Sequence, residues 1–589
     1  MTRKYPLILP LILFLGTLIL YWPSVHFDFT VDDALVTTDN NEISHFNGNY
    51  FQFLTTTLYS GTAMVKQNAN LYRPMLKASI ALNFQLAGSK FDPYAFHLGN
   101  ILLYSMCVVL VYFLILAMSR GNDPNYSFAF FTALLFMVFP SHLESVCNIK
   151  NREEILACLF SLSAWWVLLE KPFFSKRHSF LIPLISSALF LLGLLSKESA
   201  ILILPCIVIW DYVRDKTFLK NLKKPPLYLH WYAAAIIIYF LLRINALGAL
   251  LNPSNTHTFF TLEDGIFSRI VVTAGIFCKR YLWDQMLTLR LNPAFSSRFL
   301  LLSDSQIDII KLSRVVLLLA AVGFSAWTVF RHRRVYSFWI LYFFITSFLA
   351  TNIIPTGTAG AFRLMFTPSL GLCVLVVLAI EAGIRLLERR VTLSRQGRNL
   401  IFMGLVCMPV FWYGYATWSL MYIWENDRTV YTYSADSEPE NPISIYAAGR
   451  YYEKAGQEDL KYQYYEKALR IFMSRRHQIS LFTEKTLDAF SVVATEVAFR
   501  NVALNPSKAI ELADIGIQLF QRLKVLRNGK LDSNISGPYY VKALALKNLG
   551  RISESRQVCQ EALAITYHQG LAALLKALPD DNLQGKSAE

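Results

Sequence analysis

Long apolar runs separated by short charged stretches dominate the first 424 residues of this 589-residue chain. A helix needs about 20 apolar residues to cross a bilayer. On that measure the pattern predicts about eleven spans, near 7–25, 97–118, 126–140, 153–169, 180–195, 199–213, 228–247, 312–330, 335–353, 363–387 and 400–423. Two long polar intervals interrupt the alternation. The first, 26–96, contains the amphipathic stretch Leu76 to Leu86, expected to lie along the membrane surface. The second, 248–311, contains Ile266 to Leu291, a half-apolar stretch interrupted by Lys279, Arg280, Asp284 and Arg290. Such charges cost roughly 2.5–3.5 kcal/mol each at the bilayer centre. An interfacial or re-entrant helix is therefore expected there, and not a twelfth span.

After Trp424 the pattern changes to that of soluble helical hairpins. Ala448-Gly449-Arg450-Tyr451-Tyr452, Gly456, Tyr465 and Ala468 match the small-residue, aromatic and glycine spacing of a tetratricopeptide repeat. A weaker copy carries Val497, Ala509, Ala513 and Gly516, and a third carries Ala543, Gly550, Ser555, Cys559 and Ala562. The chain thus divides into a multispan region, 1–424, a repeat region, 425–578, and a tail, 579–589, expected to be disordered. The fold class is all-α: a polytopic helical membrane protein with a C-terminal tetratricopeptide-like domain.

Composition agrees. Hydrophobic residues make up 54% and charged residues only 16%, against about 25% charged in soluble domains. The net charge of +15 sits in clusters between apolar runs, as the positive-inside rule requires, and not in a nucleic-acid-binding stripe. Arg3 and Lys4 place the N-terminus in the cytoplasm. The first run ends in Tyr21-Trp22-Pro23 without a small-residue cleavage site, so it reads as an uncleaved span. Strict alternation then puts Arg120; Lys171, Lys176 and Arg177; Arg214, Lys216, Lys220, Lys223 and Lys224; Arg331, Arg333 and Arg334; and Arg389, Arg390, Arg395 and Arg398 on the cytoplasmic side. An odd number of spans places the C-terminal region outside. The eight cysteines show no paired short spacing, so neither a disulfide framework nor a zinc motif is supported.

Mixed charge gathers instead at the predicted outer ends of the spans. Asp32 and Asp33 follow the first span; like charges so close raise one another's pKa unless they share a cation or a proton. The pair suits a general base or a metal ligand, although an isolated Asp-Asp is more often a solvated turn. Further along stand Arg73, His97 with Asn100, His142 and Glu144, Arg152 with Glu153 and Glu154, Lys197 and Glu198, and Arg363. Each has a plainer structural explanation: a helix start for Arg73, capping or packing for His97 and Asn100, local pairing for His142–Glu144 and Lys197–Glu198, snorkelling for Arg363. Together on one membrane face they supply both cations to grip a phosphate and carboxylates to activate a nucleophile.

The motif order Val31-Asp32-Asp33, Tyr72-Arg73-Pro74, Phe96-His97-Leu98-Gly99-Asn100, Pro140-Ser141-His142-Leu143-Glu144-Ser145-Val146, Arg152-Glu153-Glu154, Ser196-Lys197-Glu198 and Arg363 through Pro368-Ser369-Leu370-Gly371 resembles that of the multispan, tetratricopeptide-tailed O-mannosyltransferases and their bacterial relatives. Two positions depart from that pattern: Phe139 stands where the family usually has His, and Ala361-Phe362-Arg363-Leu364 where it has Ala-Glu-Arg-Tyr. The resemblance implies a GT-C glycosyltransferase that moves a sugar from a polyprenyl- or dolichyl-phosphate donor to a protein or glycan acceptor on the periplasmic or lumenal side, with inversion. It implies Asp32 as base with Asp33 orienting it, and Arg73, Lys197 and Arg363 on the donor phosphate, with His142, Glu144, Arg152, Glu154 and Glu198 completing the donor site. A divalent metal (Mg or Mn) on Asp32 and Asp33 is left open, since only some members of the wider fold use one. The short tail points to a bacterial inner membrane, or the endoplasmic reticulum in a eukaryote. Rival readings are a lipid-linked glycan polymerase or ligase, a transporter, and a membrane-anchored repeat adaptor. The transporter predicts charges near mid-span; the adaptor predicts no role for the aspartates.

Overall fold

A computed structural model of the protein describes residues 7–63, 71–119, 125–170, 181–215, 225–248, 266–287, 309–351, 353, 360–474, 484–526 and 536–579. Within them the regular structure is helical throughout, with no strand. Arg3, Lys4, Arg120, Lys171, Lys176, Arg177, Lys216, Lys220, Lys223, Lys224, Arg290 and the tail beyond Pro579 lie outside the described residues, as does most of the interval 248–311. The described residues fall into two units, one reaching Val430 and one starting at Tyr431.

In the first unit every one of the eleven predicted runs contains a helix. Six of these helices are long and apolar enough to cross a membrane: Ile8–His26, Pro93–Met118, Leu227–Leu247, Ile309–His332, Ser369–Glu388 and Arg395–Trp424. Tyr126–Met137 and Pro140–Cys147 add a seventh if taken as one span, bent by 50°. Pro140 sits at this break, because proline supplies no N–H and clashes with the preceding turn. The remaining runs form shorter helices, including Leu181–Ser196, Ile203–Arg214 and Val335–Thr346.

Which residues are hidden identifies the solvent. Along Ile309–His332 the buried positions include Ser325 and Thr328, whereas Val316, Leu317, Leu319, Phe324, Trp327 and Phe330 face outward. Thr328 donates to Ser337 Oγ at 2.5 Å on the next helix. Along Arg395–Met421, Met408, Phe411 and Tyr415 are exposed, while Thr417 is buried and donates to the Val138 carbonyl at 2.8 Å. A helix in water hides its apolar stripe. These two turn a broad band of hydrocarbon outward and bury hydroxyls such as Ser325, Thr328 and Thr417 against neighbouring helices, as helices in lipid do. The chain is a multi-pass integral membrane protein.

The interval 26–96 folds into short helices capped by the predicted amphipathic one, Pro74–Leu86. Its inner face packs Leu76, Ile80 and Phe84 on Val36, Ile43, Phe53 and Leu58. In the second interval, Ile266–Ile276 continues into a wide π-helical turn, Phe277–Asp284, and Gln285–Leu287. There Arg280 pairs with Asp284 at 3.1 Å, and Gln285 donates to Ser141 Oγ at 2.8 Å.

Among its described residues the second unit holds the end of the helix Asp427–Ser437, then three consecutive helix pairs, Pro442–Lys454 with Glu458–Ser474, Glu484–Leu504 with Pro506–Leu526, and Ser536–Asn548 with Ile552–Ile565, and last Gln569–Ala577. Gly449 lets the first pair close: a Cβ there would come within 2.5 Å of the Tyr465 ring. In the third pair Ser555 donates to the Ala543 carbonyl at 2.7 Å.

Candidate functional site

Asp32 and Asp33 are adjacent in sequence and opposite in surroundings. Asp33 is fully buried, accepting from Thr30 N at 3.0 Å on one oxygen and from Lys150 N at 2.7 Å on the other. Asn148 Nδ2 closes the same clasp by donating to the Thr30 carbonyl at 3.0 Å. Burial pushes the Asp33 carboxyl up to about 7, against the lowering effect of its N–H partners. Asp32 is exposed and its side chain caps no helix. Between Thr30 and Asp33 the chain makes a tight turn, closed by Asp33 N donating to the Thr30 carbonyl at 3.0 Å, in which Val31 has a left-handed backbone at φ 54°. For a β-branched residue that is an outlier, costing about 1–3 kcal/mol.

Around this loop stands a buried ion cluster. Arg73 Nε lies 3.0 Å from Glu153 Oε2, and its Nη1 pairs with Glu198. Lys197 Nζ lies 3.1 Å from Glu153 Oε1 and 2.5 Å from Glu154 Oε1. Lys150 Nζ reaches Glu153 Oε1 at 4.0 Å, the loosest pair of the group. Arg363 pairs with Glu144 through its side chain, and its backbone N donates to Glu144 Oε2 at 2.9 Å. Burial works against charge on Arg73, Lys197 and Arg363, yet the facing carboxylates outweigh it and hold all three above their ordinary ranges. At Glu198 burial is outweighed by Arg73, and the carboxyl is held low. Lys150 goes the other way: burial lowers it, with only partial compensation from Glu153.

Arg152 and His142, expected to complete the donor site, are enclosed by protein partners. Arg152 is buried among neutral acceptors: its Nε donates to Asn100 Oδ1 at 2.5 Å, Nη1 to Asn83 Oδ1 at 2.5 Å and the Ser79 carbonyl at 3.1 Å, and Nη2 to the Phe96 carbonyl at 2.9 Å. Gly99 makes room for this, since the Asn83 amide oxygen lies 2.5 Å from where a Cβ would stand. His142 is also enclosed. Its Nδ1 lies 2.7 Å from the Tyr104 hydroxyl and its Nε2 2.8 Å from Ser369 Oγ, with Phe136, Phe139 and Phe366 rings about it. Tyr104 also donates to the Phe136 carbonyl at 2.8 Å, one of the backbone groups beside the proline break. His97 and Asn100 brace loops: Asn100 donates to the Val146 carbonyl at 3.0 Å, and His97 Nε2 lies 3.4 Å from the Asp28 carbonyl.

The structure thus brings Arg73, Glu153, Glu154, Lys197 and Glu198 into one cluster and Glu144 and Arg363 into a second pair whose charges reach it. It adds groups that the sequence reading did not single out. Lys150 feels the charge of Asp32. Tyr59, whose phenol is raised by burial, feels Asp32, Glu153, Arg363 and Arg73. Glu153, which the motif order gives no role of its own, is the common partner of Arg73, Lys150 and Lys197. Lys150 stood two residues from Arg152 with nothing to mark it, and Tyr59 lay in a loop of unremarkable composition. The donor set does not suit a metal: Asp33 is enclosed and bonded through both oxygens. Among the described residues no three His, Cys, Asp or Glu side chains stand together as ligands.

No family model matches the chain. It is similar to the protein O-mannosyl-transferase F38B6.6 of Caenorhabditis elegans, 25% identical over 211 residues, which is 36% of this chain and 29% of that protein. It is also similar to the human protein O-mannosyl-transferase TMTC1, 28% identical over 145 residues, 25% of this chain and 16% of that one. The matched stretches therefore span under a third of either relative's length. Among solved structures, the archaeal oligosaccharyltransferase AglB from Archaeoglobus fulgidus, in complex with an inhibitory peptide and a dolichol-phosphate, aligns with a TM-score of 0.42. Its identity is 14%, over 70% of this chain and 55% of that one. In sequence, the chain is similar to the protein O-mannosyl-transferases, the resemblance that its motif order carries.

Proposed function

We propose that this protein is an inverting membrane glycosyltransferase taking a sugar from a lipid-phosphate donor to a hydroxyl of a protein acceptor. The observation that carries the reading is the exposed Asp32, close enough to a buried cluster of cations for Lys150 to feel its charge. Asp32 takes the acceptor hydroxyl proton as the oxygen attacks the anomeric carbon. The bond from that carbon to the phosphate oxygen breaks on the opposite face, and its electron pair stays with the lipid phosphate. Arg73, Lys197, Arg363 and Lys150 offset the charge that collects there. Asp33 orients the loop, Arg152 and His142 brace the surrounding helices, and no step passes through a metal.

The same reading puts all eleven apolar helices across the bilayer, the N-terminus in the cytoplasm, and the unit after Val430 outside as a tetratricopeptide-like domain that docks the acceptor on its concave face. The membrane is the inner membrane of a bacterium or the endoplasmic reticulum of a eukaryote. The test is transfer of radiolabelled mannose from polyprenyl-phosphate-mannose into membrane protein. Asp32→Asn should lower turnover at least 100-fold with expression unchanged. Near wild-type transfer by that variant overturns the assignment of the base. A reporter fused after Trp424 should score as external; a cytoplasmic score moves the site to the wrong face.

A further inference from the structure

We propose that Asp427 is a positioning residue for Asp32, acting through the backbone of Val31. This rests on the reading of Asp32 as the base. Val31 N donates to Asp427 Oδ1 at 2.7 Å, a contact between residues 396 apart in sequence. Three residues earlier, Asp28 N donates to the Glu425 carbonyl at 2.9 Å. The loop is therefore held from two sides. On the inner side Asp33, Asn148 and Lys150 fix Thr30 and the start of the next helical turn. On the outer side the segment Glu425–Asp427 fixes Asp28 and Val31. The left-handed conformation at Val31 is one that valine leaves when nothing holds it, because its branched side chain crowds the backbone there. The inner clasp closes both ends of the turn, Thr30 N donating to Asp33 Oδ2 and Asp33 N to the Thr30 carbonyl, each at 3.0 Å, but it makes no bond to the Val31 amide. The carboxylate of Asp427 does, and a charge-assisted bond of this kind is the stronger sort. Without it Val31 relaxes, and the direction in which Asp32 points relaxes with it.

The full-length protein in detergent or native membranes serves for the test, with two variants and two readouts. Hydrogen exchange of the peptide covering residues 28–33 reports the Val31 amide directly; mannose transfer from polyprenyl-phosphate-mannose reports the base. Asp427→Ala should expose the Val31 amide to exchange and lower kcat about tenfold while leaving the donor KM within twofold. Asp427→Asn keeps an oxygen acceptor and should preserve protection and most of the turnover. The proposal is overturned if Asp427→Ala keeps full turnover with the Val31 amide exchanging freely. It is overturned equally if turnover falls with the amide still protected, if the donor KM rises instead, or if Asn and Ala behave alike. A wild-type protein inactive with the mannosyl donor would count against the proposed function, and exchange at Val31 would still decide whether Asp427 holds the loop.

Discussion

Arg152 and Glu153 share one turn of the helix Arg152–Leu169 and are both almost wholly buried, yet they belong to differently built regions. Arg152 sits in a brace of neutral oxygens contributed by Ser79, Asn83, Phe96 and Asn100. Glu153 sits among ammonium and guanidinium groups from Arg73, Lys150 and Lys197. A guanidinium whose nitrogens all donate to fixed neutral acceptors has little left to offer a ligand, and moving it breaks several bonds at once. A cation held by a carboxylate is different. On the proposed function an incoming phosphate would replace one anion with another, so the ion cluster would adapt to a substrate while the brace supports the scaffold.

The largest test of that contrast is Glu153→Ala, which leaves three buried cations short of their common partner. Removing one side of a buried pair costs ~3–5 kcal/mol, so the detergent-solubilised protein should unfold many degrees lower or fail to accumulate. An unchanged melting temperature would show that Glu153 does not hold the cluster together. Asp33 should give the next effect, as a pH dependence. Its carboxyl is raised from 3.8 to about 7 on folding, so the folded chain binds that proton more tightly than the unfolded one. The stability it contributes is therefore complete below about pH 4 and is lost as pH rises through 7, levelling off above. A tenfold change in proton affinity is worth about 1.4 kcal/mol, which makes the whole effect a few kcal/mol at most. Asp33→Asn should flatten that part of the melting-temperature profile between pH 4 and 7. A slope that persists unchanged in the variant would assign the titration to another group. Smaller again is Arg152→Lys, where one ammonium replaces a fork serving four oxygens. Leaving buried acceptors unmet costs ~1–3 kcal/mol, and donor KM should stay unchanged if its nitrogens keep to these protein acceptors. A large rise in KM without a loss of stability would move Arg152 from the brace into the site.

What the sequence made legible follows from how far each signal reaches along the chain. Apolar runs are local, so each of the eleven contains a helix. Charges at the ends of the apolar runs are also local, and most of them do meet: Arg73, Glu154, Lys197 and Glu198 around Glu153, and Glu144 with Arg363. Their pairing was not readable. Lys197 and Glu198 looked like a pair with each other, yet each takes a partner from another helix. His142 has the composition of an acid–base residue, and only Tyr104 and Ser369, the latter 227 residues away, reveal that both ring nitrogens are engaged. The two aspartates are indistinguishable in sequence; only the fold shows Asp33 bonded to Thr30 N and Lys150 N and Asp32 exposed.

Lys150 is where the contrast between brace and cluster is most finely drawn, because it belongs to neither fully. Its backbone N–H holds Asp33, which is a structural duty, while its ammonium stands 4.0 Å from Glu153 and within the field of Asp32. Replacing the side chain by Met keeps the backbone bond and much of the packing, so stability should change by no more than about 1 kcal/mol. Glu153 retains Arg73 and Lys197 as partners. If the ammonium meets the donor phosphate, Lys150→Met should raise the KM for polyprenyl-phosphate-mannose about tenfold, equivalent to about 1.4 kcal/mol, and leave the melting temperature nearly in place. The lowered proton affinity of Lys150 gives a second reading of the same claim: donor affinity in the wild-type protein should weaken at alkaline pH as the ammonium discharges, and the Met variant should lose that dependence. A Lys150→Met protein with wild-type KM and a lower melting temperature would place this lysine with Arg152 in the brace.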